Sequence, residues 1–410
     1  MARLIKDNII VSIDVGTTKI CVLIARKMGD QIEIIGIGKS PSYGLQKGVV
    51  VDIAKTISSI SCAVKEAEMM AGFTVESAYI GISGSHIGVL NSAGVTPIKH
   101  DRIRQSDVTN VLESAKAIAV PEGRQILHIL PKQFIVNGQD YVKDPIGMYG
   151  VRLEVLAHII TGAVSSVQNL LNCCQSAGVL VNDIILEQLA SADAVLSEDE
   201  RELGVGIIDI GGGTSDVAFY KNGAVQHTMV FPVAGNHVTN DIAIGLRIMK
   251  NEAERIKKRY GFAMSSLIEV EELVEVEMMQ GEDLQIVRLS DLVLIIEPRM
   301  RELFSLINEE IKKGNLQQFM TNGIVLTGGG SLLAGVRELA EEIFDCPVRI
   351  GKPRVLFDLV ETLQSPLYAT GYGLLVYVLH NDKKMQMHLK DEGLRRRIFE
   401  RMKSWVSDFF

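Results

Sequence analysis

Two similar α/β halves facing each other across a phosphate-binding cleft are the architecture that this 410-residue sequence points to. Two stretches, 195 residues apart, carry that expectation. The first reads IIVSIDVGTTK from Ile9 to Lys19, and the second reads VGIIDIGGGTSD from Val205 to Asp216. Each is a β-branched apolar run, then an Asp, then a glycine turn with hydroxyls, then a second apolar run. That is strand, tight turn, strand. Glycine permits positive φ and lets an anion approach the backbone amides. The Asp at each strand end, Asp14 and Asp209, suits a divalent cation held through water. A nucleotide phosphate chain gripped from both sides is the ligand that such a pair serves.

Hydrophobic residues are 47% of the chain, enough for a large core. The apolar stretch at 371–379 is too short to span a bilayer as a helix. Residues 1–7 lack the apolar core of a signal peptide. Five cysteines (Cys21, Cys62, Cys173, Cys174 and Cys346) show no CxxC pair and no ligand spacing, which fits free thiols in a reducing cytoplasm. The net charge of −8 is uneven, because from Lys383 onward eight basic residues outnumber four acidic ones. An acidic body argues against nucleic acid as a partner, and the basic tail asks for an anionic one.

Residues 1–85 begin the first half, with a strand over 32–37, a helix over 53–71 and a strand over 75–82. The helix repeats Ile57, Ile60, Val64 and Ala67 at helical spacing. Residues 86–163 break the alternation and read as an α+β insertion, peripheral to the cleft. It holds a helix over 105–117 started near Ser106 or Asp107, strands over 124–134 and 153–161, and a polar connection over 137–149. Residues 164–200 return to the first half. A helix over 165–177 stops at Gly178, a strand follows over 179–186, and a helix rich in Ala190, Ala192 and Ala194 comes next.

Residues 201–380 form the second half, with a nucleotide-capping subdomain at about 240–300. There, 236–260 reads as one helix stopped by Gly261, 262–290 as short acidic strands, and 292–312 as a long helix containing Pro298. A strand over 323–326 leads into a third glycine turn, Thr327 to Ser331. A small-residue helix over 369–379 closes the half. Residues 381–393 read as a linker and 394–410 as a separate helix.

Five pieces therefore fall in order: the Asp14 hairpin, the helix after Glu187, the Asp209 hairpin, the Thr327-Gly328-Gly329-Gly330 turn, and the helix carrying Gly371 and Gly373. This order resembles the actin, sugar-kinase and heat-shock-chaperone superfamily of ATPases. The resemblance implies an actin-like fold, ATP as ligand, and a crossing of the two small-residue helices under the cleft. It implies nucleotide contacts from Asp14, Gly16, Thr17, Thr18 and Lys19, and from Gly211, Gly212, Gly213 and Thr214. Gly235, Asn236, Glu254, Lys257, Gly328, Gly329, Gly330 and Ser331 complete that set. Asp14 and Asp209 would hold Mg²⁺ through water. Glu187 stands where some relatives carry the residue that orients attacking water, and Asp209 is the other catalytic candidate.

Plainer roles stand beside these. Lys19 either reaches phosphate or lies on the surface. An acid at a helix N-terminus, such as Glu187, is favoured by the macrodipole alone. Glu254 and Lys257 also form an ordinary i, i+3 pair.

The insertion follows the Ser83-Gly84-Ser85-His86 turn. With the segments at 200–205, 232–236 and 296–299 and the terminal amphipathic pattern, its placement resembles the FtsA family of bacterial cell-division proteins over essentially all 410 residues. The resemblance implies a self-polymerising scaffold at the cytoplasmic face of the cell membrane, at the division site. It implies binding of the C-terminal tail of the tubulin-like protein FtsZ near Arg299 and Glu302, recruitment of later division proteins, and at most slow ATP hydrolysis. Arg299 and Glu302 are otherwise a surface ion pair of small energetic value. The rival readings are a PilM-type pilus-assembly adaptor, which would lack a basic amphipathic tail, and a small-molecule kinase, which needs a base opposite the γ-phosphate.

In the tail, Leu394, Ile398, Met402, Trp405 and Phe409 recur in steps of three and four, widened by Phe399, Val406 and Phe410. Arg395, Arg396, Arg397, Arg401 and Lys403 fill the other faces. This is the pattern of a helix lying in an anionic membrane surface. The plain alternative is a helix docked on the protein's own core.

Overall fold

A computed structural model describes residues 8–29, 31–278, 284–354 and 361–388. The first half opens with an antiparallel meander, β1 (Ile9–Val15), β2 (Lys19–Met28) and β3 (Gln31–Pro41), followed by a two-residue ladder, β4 (Leu45–Gln46) and β5 (Val49–Val50). Helix α1 (Ile53–Ala71) begins where Asp52 accepts the Lys55 N–H at 3.1 Å. It ends at Gly72 in the left-handed region. Strand β6 (Ser77–Ile82) lies parallel to β1.

The insertion contains β7 (Gly88–Pro97), α2 (Gln105–Lys116), β8 (Arg124–Val136), β9 (Gln139–Val142) and β10 (Arg152–Ala163). Its antiparallel sheet has the order β7-β10-β8-β9. Strand β7 was not among the expected elements. It pairs with β10 from Gly88 to Pro97, so the neighbouring strand holds in place a run that Gly, Asn and Ser make weak on its own. Strand β9 lies inside the expected polar connection. Asn137 and Gly138, both at positive φ, turn β8 back into it.

The chain then re-enters the first half through α3 (Val164–Ser176), β11 (Leu180–Leu186), α4 (Glu187–Val195) and α5 (Glu198–Leu203). Strand β11 completes a sheet of order β11-β6-β1-β2-β3.

The second half repeats this plan. An antiparallel meander, β12 (Val205–Ile210), β13 (Ser215–Lys221) and β14 (Ala224–Phe231), leads to α6 (Gly235–Leu246) and α7 (Lys250–Tyr260). The single helix expected over 236–260 is thus two. Arg247 takes a left-handed conformation, φ +55°, between them and closes α6. A hairpin of β15 (Leu273–Glu277) and β16 (Leu284–Arg288) precedes α8 (Leu289–Lys313), which runs through Pro298. Strand β17 (Ile324–Thr327), α9 (Val336–Phe344), β18 (Val348–Ile350) and α10 (Ala369–His388) follow. The sheet order is β14-β13-β12-β17-β18. In both five-stranded sheets the meander's first strand has the last two strands parallel beside it. Helix α10 continues past 379 to His388, so the first part of the expected linker is helical. The tail residues Leu394 to Phe410 lie outside the described residues.

One apolar core fills the first half and continues onto the second half's sheet through Val205, Ile207 and Ala218, a second fills the rest of that half, and the insertion has a third. No residue of the insertion lines the cleft between the halves, yet the insertion is not isolated from the second half. Its sheet packs on β14 of the second half, where His158 on β10 is fully buried. The His158 Nε2 lies 2.9 Å from the Thr228 hydroxyl and its Nδ1 lies 3.1 Å from Asn91 Oδ1. Burial pushes its pKa down to about 3, so the ring is neutral and makes one bond as donor and one as acceptor.

Candidate functional site

The two Asp-glycine hairpins sit at equivalent places in the two sheets. The Gly16 N–H donates to the Lys19 carbonyl at 3.1 Å, and the Gly211 N–H donates to the Thr214 carbonyl at 2.9 Å. A Cβ at Gly16 would lie 2.8 Å from the Lys19 oxygen, so the turn needs glycine there. The tips meet across the cleft. A Cβ at Gly212 would come within 2.4 Å of Thr18 Cγ2, and one at Gly213 within 2.4 Å of Thr17 Oγ1.

Between the halves lies a cavity of about 820 Å³. The predicted nucleotide residues line it, Ser331 excepted, and so do Glu187 and Asp209. Ser331 is buried in the third turn, where its hydroxyl donates to the Gly328 carbonyl at 2.7 Å. Gly235 and Asn236 open α6, but their amides donate to the Gly211 and Gly212 carbonyls at 3.1 and 2.8 Å. They therefore brace the second hairpin. Lys19 reaches inward. Its Nζ lies 3.8 Å from Asp14 and donates to the Leu367 carbonyl at 2.7 Å. The Glu254 carboxylate is bound by Lys257 and by the Thr239 hydroxyl, each at 2.6 Å, and Lys257 also donates to the Gly235 carbonyl at 3.1 Å. The pair is thus more than a surface i, i+3 contact.

The floor is formed by α4 and α10, which cross with backbones touching. Each carries a hydroxyl to the second-half acid: Ser191 and Thr370 both donate to Asp209 Oδ2, the latter at 3.1 Å. Two residues with no assigned role in the sequence reading belong here as well. Asp216, paired with Asp209 across the β12–β13 hairpin, accepts bonds from Ser83 of the first half and from Thr214. The corresponding first-half pair is Asp14 with Cys21. A second acid on the next strand, two residues past the turn, was the available signal for Asp216.

Four carboxyl groups thus face one partly buried space. Burial raises Asp14 to about 6, with Lys19 opposing and Asp209 adding to the rise. Burial lifts Asp216 to about 7, against its bond from Ser83. Burial, then the charges of Asp14, Asp216 and Asp209, holds Glu187 well above the usual carboxylate range. Asp209 is also raised by burial, with its two hydroxyl bonds opposing. Among the described residues no three His, Cys, Asp or Glu side chains are grouped to hold a metal directly. A hydrated divalent cation fits such a set, because it supplies charge to the acids and meets them through its water shell.

Known proteins resemble the chain in both sequence and fold. The family model for cell division protein FtsA matches residues 206–373, and that for the SHS2 domain inserted in FtsA matches 84–161. The FtsA of Pseudomonas aeruginosa is 42% identical over 417 residues, covering 100% of both chains. The chain belongs to the FtsA family. It is therefore a cell division protein, and the matched insertion is the one that marks FtsA. Solved structures share its actin-like fold. The PilM–PilN complex of type IV pilus biogenesis matches with a TM-score of 0.65 at 16% identity, covering 90% of this chain and 98% of that one. MreB5 of Spiroplasma citri bound to ADP matches with a TM-score of 0.58 at 16% identity, covering 92% and 98%. At such identities these likenesses show the fold alone, so PilM is a neighbour of FtsA in architecture. Among the described residues no helix is long and apolar enough to cross a membrane.

Arg299 and Glu302, the residues expected to take FtsZ, lie on α8 and do not line the cavity, although Met300 between them does. Arg299 is not free there. Its Nε and Nη2 donate to the two oxygens of Asp241 on α6 at 2.6 and 3.1 Å, and its Nη1 donates to Glu302. Ile244, one turn along α6 from Asp241, is 76% exposed.

Proposed function

We propose that this FtsA-family chain binds ATP and Mg²⁺ between its halves and tethers FtsZ to the cytoplasmic face of the cell membrane at the division site. The observation that carries the nucleotide reading is the convergence of three glycine turns on one cavity of about 820 Å³, a small-molecule size. A fold neighbour bound to ADP supports it. Asp14 and Asp209 hold the cation through water, and the two hairpins hold the phosphates with backbone amides. When bound, Mg²⁺ supplies positive charge to the phosphate chain. Glu187 faces the same space and orients a water, and any hydrolysis is slow.

Nucleotide sets the state competent for self-assembly. Arg299 and Glu302 take the C-terminal tail of FtsZ, and the polymer recruits later division proteins. The tail of this chain lies in the anionic lipid surface through Leu394, Ile398, Met402, Trp405 and Phe409, with its arginines at the headgroups. A pull-down with an immobilised FtsZ tail peptide, with and without ATP and Mg²⁺, tests the central claim. Retention of the purified chain by this peptide and not by a scrambled one is the expected result. Equal retention by both removes the FtsZ reading.

A further inference from the structure

Behind the cleft is a second cavity of about 10 Å³, which is the size of one water molecule. Glu187 and Ser83 line both cavities. His86 and Ser166 line the smaller one, with Val15 and Leu170 among its apolar wall. Both ring nitrogens of His86 are shut off from solvent, and among the described residues neither has a hydrogen-bond partner. A buried donor and acceptor in that state are costly, and an ordered water is the usual remedy.

The ring is held firmly. It packs over bare Gly84, φ +144°, where a Cβ would lie 2.7 Å from His86 Nδ1. The His86 carbonyl accepts from Arg124 Nη2 at 2.8 Å. Burial, reinforced by the Arg124 charge, brings the imidazole down to about 4, so it is neutral near pH 7 with one N–H and one lone pair to offer. His86 lies just before β7, and Ser166 lies just after β10. Both ends of the insertion therefore meet at the back of Glu187.

We propose that one buried water fills this cavity and bridges the Glu187 carboxyl to a ring nitrogen of His86 and to the Ser166 hydroxyl, making His86 the positioning residue for Glu187. The positioning role rests on the reading that Glu187 faces bound nucleotide. A carboxyl held from behind by a fixed water keeps one oxygen toward the cleft. Its orientation then depends on where the two ends of the insertion stand.

Two measurements on the full chain decide the matter. A high-resolution crystal structure is expected to show one ordered water within hydrogen-bond distance of both Glu187 and His86. Ring-nitrogen NMR is expected to show the His86 resonances moving in Glu187→Gln, which keeps shape and replaces the carboxyl with an amide, while those of His158 stay in place. His86→Gln, which retains a donor and an acceptor, should keep the water, and His86→Leu should lose it. Absence of the water, a direct Glu187–His86 contact, or unmoved His86 resonances in Glu187→Gln would overturn the proposal. Calorimetry of ATP binding to the unmodified protein tests the cleft separately. No binding with the water present overturns the cleft reading and the positioning role with it.

Discussion

Gly373 lies against Ala190 with no space for a side chain, since a Cβ at Gly373 would sit 1.9 Å from the Ala190 carbonyl oxygen. Helices α4 and α10 pass each other at backbone contact, and from this crossing Ser191 and Thr370 reach Asp209. Gly373→Ala must push the helices apart. The expected cost is about 1–3 kcal/mol of stability from overpacking, which outweighs the gain of roughly 1 kcal/mol from alanine's better helix propensity. Thermal or urea unfolding measures it, and an unchanged midpoint would mean the crossing yields freely.

Gly212→Asp places a side chain against Thr18 and a negative charge between the hairpins. ATP affinity is expected to fall at least about tenfold, or 1.4 kcal/mol. Calorimetry with Mg²⁺ present reads the change directly. Wild-type affinity in this variant would show that the hairpins do not hold the phosphates.

The raised carboxyls give the nucleotide-free protein a pH dependence of known sign. Asp216 moves from an ordinary 3.8 up to about 7 on folding. Between those values the folded state binds the extra proton, so stability falls as pH rises through that window. Unfolding in EDTA at pH 5 and pH 8 should show this group favouring the lower pH. Asp216→Asn should flatten the difference, and an identical pH profile in that variant would contradict the shift.

Arg299→Glu should weaken binding of the FtsZ tail peptide without altering ATP affinity, as read by anisotropy and calorimetry on one preparation. The substitution also sets a new carboxylate beside Asp241. Asp241→Asn, which frees Arg299 from its bidentate partner, should leave peptide binding intact or strengthen it. Unchanged peptide affinity in Arg299→Glu would put the docking site elsewhere.

Trp405→Glu should release the protein from anionic liposomes into the supernatant on sedimentation, with ATP binding retained. Each cation near such a surface contributes about 1 kcal/mol, and linking many anchors in a polymer raises avidity by roughly 10² or more. High salt should weaken attachment only in part, since the apolar contribution is not screened. Liposome binding that survives truncation after His380 would place the lipid contact on the body.

The duplicated plan was legible because its signal is local. An Asp, a glycine turn and two apolar runs lie within a dozen residues, and the copy repeats the pattern. Helix α1 was legible for the same reason, from its periodic face, while its cap at Asp52 and its stop at Gly72 are seen in the structure. Strand β7 was not, because ten-residue pairing with β10 holds it and no sequence window contains both partners. The Asn137-Gly138 turn was legible in principle, since that dipeptide marks a two-residue hairpin, but the polar residues after it hide β9. The glycine turns themselves stand out by spacing, and their glycines line the cavity. Ser83, Ser191 and Thr370 do not stand out, because lone hydroxyls on distant elements acquire meaning only when folding carries them to Asp216 and Asp209.

The buried bond between His158 and Thr228 has a mechanical consequence. It ties the inserted sheet to the second half apart from the crossing helices, and Ser83 bonded to Asp216 joins the halves at the cleft itself. Splaying the second half from the insertion would strip a buried imidazole of its hydroxyl partner. The inserted sheet thus acts as a strut that stiffens the molecule beside the cleft.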